Sequence, residues 1–393
     1  MHTWWVNSRA LALAGVSAAT PDPADSHIHR DASGRPTGLF SEWNAIALIE
    51  RVVPPPDAGA LAEWLAETVA EANRLGLTGI HDQRVEREGA ESLRLFQALR
   101  RQGRLSLRVH ANIAADYVAE AARLGLQAGF GDDNLWLGHV KAFADGAMGS
   151  RTALLAAYEG EPDNTGIVVT PADRLWPMLV AAGEAGFPMS VHAIGDRAVR
   201  EVLDVMTEWA TTRGATTSLP MPQRIEHVQL IHPDDLARLA QSGIVASVQP
   251  VHLQSDWRTA DRVWGGRARL AYAFRSLLDR GTALAFGSDA PVAPLNPLLG
   301  IHAAVTRQDE GGAPAGGWYP AERLTVAEAI AGYTLGPARL SGKADRLGSI
   351  TPGKYADLVV LSDNLFEIEP AAIAAASVWL TVFDGRVVYG TEE

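Results

Sequence analysis

The sequence predicts an α/β chain of the TIM-like barrel class, and three observations predict it. Short apolar runs alternate with amphipathic helical stretches from about residue 57. Nearly every run ends in a chemically useful polar side chain. The alternation gives way to turn-separated strands only near the C-terminus. The 393 residues suffice for one large domain or a barrel with a small appendage.

The first unit is "GALAEWLAETVAEANRLG", apolar at helical spacing and closed by Gly76, followed by the short β-rich run "LTGIHDQ". The same pairing recurs. A helix over 87–102 precedes "LSLRVHANI", one over 114–124 precedes "LWLGHVKAFADG", and one over 172–186 precedes "FPMSVHAIGD". Helices over 197–212, 233–242 and 268–280 precede "QRIEHVQLI", "GIVASVQPVH" and "ALAFGSDAP". Apolar runs interleaved with helices mean a parallel sheet with crossover connections. About seven strands are visible, which an open doubly wound sheet accommodates, whereas a (β/α)8 barrel closes with eight. The polar residues favour the barrel. His81 and Asp82, His110 and Asn112, Lys141 and Asp145, His192 and Asp196, Glu226 and His227, Gln249 and His252, and Asp289 stand at successive strand ends. Barrel active sites are assembled from that face.

The flanks differ from this repeat. Residues 1–56 are rich in proline and tryptophan and read as an irregular cap or insertion over the barrel mouth. The barrel itself is assigned to 57–340. Residues 341–393 contain "KADRLGSITPGKYADLVVLSDN" and "VWLTVFDGRVVYGTEE", strands separated by turn signals, and are expected to form part of a small β-sandwich.

Composition narrows the function. The net charge of -12, from 34 basic and 46 acidic residues, argues against nucleic acid or an anionic membrane as the main partner. The chain has no cysteine, which excludes disulfides and thiolate metal sites and fits a reducing, cytoplasmic setting. The opening "MHTWWVNSRALALAGV" lacks a basic lead followed by a continuous apolar run, so no signal peptide is expected. No uninterrupted apolar stretch reaches the ~18 residues of a membrane span. The sequence carries no signal for an oligomeric state.

Lys141 stands in an apolar strand, where burying an ammonium drives it neutral. A neutral lysine can take up carbon dioxide as a carbamate, an anionic ligand able to bridge two metals. The alternative is a lysine that snorkels or pairs with Asp145. His192 and His227, one βα unit apart, suit imidazole ligation. Asp289 can ligate a metal and accept a proton from bound water. His252 can donate to a substrate carbonyl or simply anchor its loop. His2, Trp4, Trp5 and Asn7 can line a substrate pocket from the cap or pack within it. Asp145 and Asp196 can orient ligands from behind or cap the following helices. The loop "GGAPAGGWYP" at 311–320 can be a lid or only a loop.

The order Lys, His, His, Asp resembles the amidohydrolase superfamily. The stretches "VKAFADGAMGSRTALL", "VHAIGDRAV", "RIEHVQL", "QPVHLQSDW" and "GSDAPV" resemble its subgroup containing N-substituted formamide deformylases. "WWVNSRALALAGV" and "GRPTGLF" are similar to the same subgroup's region between its first two barrel strands, so the likeness covers almost the whole chain. The resemblance implies a hydrolase of non-peptide carbon–nitrogen bonds in small amide-type substrates. It implies one or two divalent ions, zinc foremost, with metal-bound hydroxide as nucleophile. Lys141 would be the carboxylated bridging ligand, His192 and His227 ligands of one metal, and Asp289 ligand and general base.

The family also carries a His-x-His pair at its first strand, many residues before the region that "WWVNS" resembles. Here that strand is expected to lie before Met1, leaving a barrel short of its first strand and a chain of impaired activity. The pair within "ADSHIHRD", His27 and His29 beside Asp25, follows "AATPDPADS" rather than an apolar strand, so it reads as a surface coincidence in a polar strand near the cap. The competing reading of the whole chain is a non-catalytic barrel remnant or small-molecule binding protein.

Overall fold

The fold was analysed in a computed structural model, which describes residues 3–24, 26–83, 90–214 and 218–390. Residues 3–24 and 26–50 carry regular strands and helices, where their prolines suggested an irregular segment. Strands β1 (Thr3–Trp5), β2 (His27–Arg30) and β3 (Pro36–Ser41) form an antiparallel sheet in the order β1-β3-β2. Helices α1 (Ser8–Ala14) and α2 (Trp43–Glu50) accompany it. The sheet and helices share a small core of Ile28, Phe40, Ala45, Ile46 and Ile49, and the prolines stand outside the paired registers apart from Pro36 at the start of β3.

The central sheet is parallel and runs in chain order: β4 (Gly79–Asp82), β5 (Arg108–Ala114), β6 (Leu135–Phe143), β7 (Met189–Ala193), β8 (Arg224–His227), β9 (Val245–Val248) and β10 (Leu284–Phe286). The helices are α3 (Ala58–Arg74), α4 (Glu91–Arg101), α5 (Val118–Arg123), α6 (Ala172–Glu184), α7 (Asp196–Trp209), α8 (Asp235–Ser242), α9 (Leu253–Trp264), α10 (Phe274–Asp279), α11 (Pro297–Thr306), α12 (Val326–Tyr333) and α13 (Leu335–Leu340). The predicted helix over 268–280 is shorter than expected. A 3-10 segment over 265–270 precedes α10, and the two are parted by Tyr272, whose φ of 52° no helix tolerates. Arg307 Nη1 donates to the Tyr272 carbonyl at 2.6 Å and holds that break. The helix α9 was not anticipated. Its sequence "LQSDWRTADRVW" begins directly after the strand-end residues and has no separate start signal. Among the described residues no helix is long and apolar enough to cross a membrane.

The sheet is curled, and side-chain contacts prove it. Strands β4 and β8 lie four places apart, about 19 Å along a flat sheet. Yet Arg224 Nη1 on β8 is 3.1 Å from His81 Nδ1 on β4. Gln83, just past β4, accepts from Ser190 Oγ on β7 at 2.9 Å. The seven strands therefore wrap around a common interior, a TIM-like arrangement in which β4 and β10 each pair with one neighbour among the described residues. Leu295, beyond β10, packs against the apolar cluster of α3, α4 and β5.

At the C-terminus, β11 (Leu358–Leu361), β12 (Val378–Phe383) and β13 (Arg386–Tyr389) form one antiparallel sheet. The turn joining β12 to β13 is the predicted Asp-Gly, with Asp384 at φ 51° and Gly385 at φ 77°. This sheet docks on α3: Thr381 Oγ1 donates to the Asn73 carbonyl at 2.7 Å.

Candidate metal centre

The end of β8 departs from regular backbone where the chemistry begins. His227 has φ 74° and Val228 φ 41°, and at the end of the β10 segment Asp289 has φ 57°. Such conformations cost a residue with a Cβ about 1–3 kcal/mol and persist where the surroundings over-determine them. Here they turn two side chains toward one point. One ligand atom each of His227, His252 and Asp289 lies within 4.8 Å of the others. The His252 ring is nearly parallel to that of His227, with centroids 6.3 Å apart. His192, from the neighbouring β7, meets the His227 ring edge-on at 4.6 Å.

Hydrogen bonds fix the rings. His227 Nδ1 donates to Gln249 Oε1 at 2.8 Å, which leaves the lone pair on Nε2. His192 Nε2 donates to the Gly146 carbonyl at 2.9 Å, which puts its lone pair on Nδ1. His252 Nε2 lies 3.2 Å from the Ser288 carbonyl. Burial, reinforced by His192, drives the His227 pKa down to about 3, so its imidazole is neutral at pH 7, the state that ligates metal. Lys141 on β6 is 4% exposed, with Nζ 4.8 Å from the Phe143 ring centroid. Burial lowers its pKa to about 8 against the opposing pull of the Glu226 and Asp289 carboxylates. The amine is thus far easier to neutralise than a solvated lysine. The Asp145 carboxylate accepts from the Leu154, Ile194 and Gly195 amides, and its Oδ1 lies 3.4 Å from His192 Nε2.

Other predicted positions have other settings. Trp4 packs against the N-terminal core, Trp5 is 86% exposed, and Asn7 caps α1 by accepting from the Ala10 amide. His2 and Asp25 lie outside the described residues. His27 is exposed and bonds Asp22 at 2.6 Å, while His29 Nε2 bonds Ser41 Oγ at 2.8 Å. Asp196 begins α7, its Oδ1 accepting from the Arg197 amide. The loop at 311–320 is pinned by Trp318, which is buried and donates to Asp261 at 2.9 Å.

A polar layer beside the centre was missed as a unit. His81 stacks on His110 at 4.4 Å, His110 Nε2 bonds His139 Nδ1 at 3.0 Å, and His139 Nε2 bonds the Pro222 carbonyl at 2.9 Å. Arg224 pairs with Glu226 at 2.9 Å, and Ser190 donates to Glu226 at 2.8 Å. The spacing of Arg224 and Glu226, two apart in a strand and so on one face, was the available signal.

The donor set fits a divalent cation: imidazoles, a carboxylate and a desolvated lysine. The comparisons agree. A family model described as the amidohydrolase family matches residues 1–389. A Bacillus subtilis (strain 168) protein named as an amidohydrolase, YtcJ, is 34% identical over 392 residues, covering 99% of this chain and 72% of that one. The N-substituted formamide deformylase of Arthrobacter pascens is 28% identical over 404 residues, covering 99% and 72%. Among solved structures, an uncharacterized metal-dependent hydrolase from Pyrococcus horikoshii OT3 superposes with a TM-score of 0.76 at 28% identity, over 94% of this chain and 71% of the other. Together with the meeting of His227, His252 and Asp289, this match over nearly the full length shows that the chain belongs to the amidohydrolase family.

Proposed function

We propose that the chain is a metal-dependent hydrolase of non-peptide carbon–nitrogen bonds in small amide-type molecules, with N-substituted formamides as the leading class. The observation that carries this reading is the meeting of His227, His252 and Asp289 within 4.8 Å. His192 and His227 would hold one divalent ion, zinc foremost, with Asp289. Lys141, once carboxylated, would offer its oxygens to one ion or bridge two. The bound ion supplies Lewis acidity, which polarises a carbonyl and lets water ionise near neutral pH.

The chain's own residues do the rest. Asp289 takes the proton released by the attacking water and returns it to the departing nitrogen. His252 donates to the carbonyl oxygen as charge gathers there, or joins the ligands beside it. Residues 1–56 serve as the cap, 57–340 as the catalytic barrel and 341–393 as the appendage. Trp5, exposed on the cap, is the aromatic offered to an apolar N-substituent. The similarity to the Arthrobacter pascens deformylase supports the substrate class, and the absence of cysteine fits a cytoplasmic setting.

The test is zinc titration of the full chain followed by a screen of N-substituted formamides and N-acyl amides. Zinc-dependent turnover is expected, with Asp289→Asn reducing kcat by about 10²–10⁴-fold. A zinc-loaded chain that turns over none of these, or an Asp289→Asn variant as active as the parent, refutes the reading.

A further inference from the structure

A carboxylate outside the central sheet reaches the candidate centre by a continuous path. Glu42 lies between β3 and α2 with φ 67° and ψ 161°. That backbone region is essentially reserved for glycine. A glycine would make the turn without strain, so something in the side chain has to offset the cost. Glu42 is only 7% exposed. Its Oε1 accepts from Thr152 Oγ1 at 2.9 Å, and Ser150 Oγ, 3.3 Å from that oxygen, lies 2.6 Å from Thr152 Oγ1.

Both hydroxyls belong to the loop that follows β6. Thr152 Oγ1 also accepts from the Ala147 amide at 3.0 Å. The donor order is therefore Ala147 N–H to Thr152 O–H to the Glu42 carboxylate, each group using its lone pair and proton in sequence. Backbone bonds close the turn: Thr152 N donates to the Ala147 carbonyl at 3.0 Å, and Gly146 N to the Thr152 carbonyl at 3.3 Å. Gly146 has no space for a side chain, since a Cβ there would stand 2.2 Å from Thr152 Oγ1. The Gly146 carbonyl is the group that accepts from His192 Nε2. Asp145 clamps this loop from the barrel side, through the Leu154, Ile194 and Gly195 amides. Glu42 holds it from the cap side.

We infer that Glu42 is a positioning residue that ties the N-terminal layer to the loop after β6 and, through Thr152 and Gly146, fixes the orientation of His192. The inference rests on the reading of His192 as a metal ligand. It makes the cap part of the metal centre's support: when Glu42 lets go, the Gly146 carbonyl is less constrained and the His192 ring with it. Removing a partner that orients a ligand from behind typically weakens metal binding 10–100-fold.

The decisive variant is Glu42→Gly, which relieves the backbone while deleting the carboxylate. Zinc affinity is measured on the full chain by competition with a chromogenic chelator, and amide hydrogen exchange is followed over residues 146–155. Glu42→Gly is expected to melt no lower than the parent, yet to bind zinc about tenfold more weakly and to exchange faster at the Ala147 and Thr152 amides. Glu42→Gln keeps the acceptor oxygen and should restore most of both. Combining Glu42→Gly with Thr152→Val should cost no more than the worse single change, because both break one path. Unchanged zinc affinity and unchanged loop exchange in Glu42→Gly, or fully additive losses in the double variant, overturn the inference. A parent chain that binds no zinc refutes the metal reading instead, and the exchange data on that same protein still decide whether Glu42 holds the loop.

Discussion

Arg108 shows what a single residue contributes to this fold. It opens β5, is 2% exposed, and would be intolerable there without partners. Asp357 supplies them as a fork, accepting from Nε at 2.5 Å and from Nη2 at 3.0 Å, while Asp384 accepts from Nη2 at 3.1 Å. The Tyr355 ring lies 3.8 Å from the guanidinium carbon. One side chain thus joins the central sheet to the C-terminal one. Arg108→Met leaves the buried Asp357 carboxylate with the Asp384 amide as its donor and no cation against it, and we expect a loss of about 3–5 kcal/mol in urea unfolding. Adding Asp357→Asn should recover part of that loss. An Arg108→Met variant as stable as the parent would show that the joint is held by apolar packing instead. An arginine inside "LSLRVHANI" is visibly out of place in the sequence, but nothing local points to partners 249 and 276 residues away.

At the scale of elements, the junction of β5 and β6 is the least regular part of the central sheet. Ala111 faces Leu137 and Ile113 faces Val140, so Asn112 opposes two residues, Gly138 and His139. This extra residue breaks the ladder, as a bulge does. The Asn112 side chain takes up the slack by accepting from the His139 amide at 2.8 Å. Gly138 makes the arrangement possible, because a Cβ there would stand 1.9 Å from His110 Nε2. Gly138→Ala should therefore lower stability by about 1–3 kcal/mol through overpacking, read as a drop in the thermal midpoint. No change would mean that His110 has room to move. The strand itself was legible from its apolar run. Its bulge was not, because the irregularity arises from pairing with another strand.

The barrel interior desolvates several imidazoles, and this sets the molecule's response to acid. Burial holds His81 down at about 3, with Arg224 adding to the shift, and burial likewise lowers His110 and His139 well below the ordinary histidine value. In the unfolded chain all three protonate near pH 6.5. Between that pH and the folded values the unfolded state binds more protons, so stability rises with pH and falls on acidification. Each histidine contributes about 1.4 kcal/mol per pH unit within its window. Urea midpoints should accordingly drop between pH 6.5 and pH 5, and a His81→Gln variant should show a shallower drop. A midpoint that stays level across this range would mean that the histidines take up protons without unfolding.

Read alone, the sequence determined the repeating α/β order, the seven strands, the Asp-Gly turn near the end and the succession of polar residues at strand ends. Each of these is encoded in neighbouring residues, through side-chain periodicity and turn chemistry. Only the tertiary structure decided that the sheet curls until Arg224 meets His81, that Gln249 and Gly146 set the proton positions of His227 and His192, and that Glu42 reaches Thr152 from 110 positions away. The physical reason is common to all three. A hydrogen bond needs its partners within about 3 Å, and for residues far apart in the chain that distance is fixed by packing, which no local pattern records.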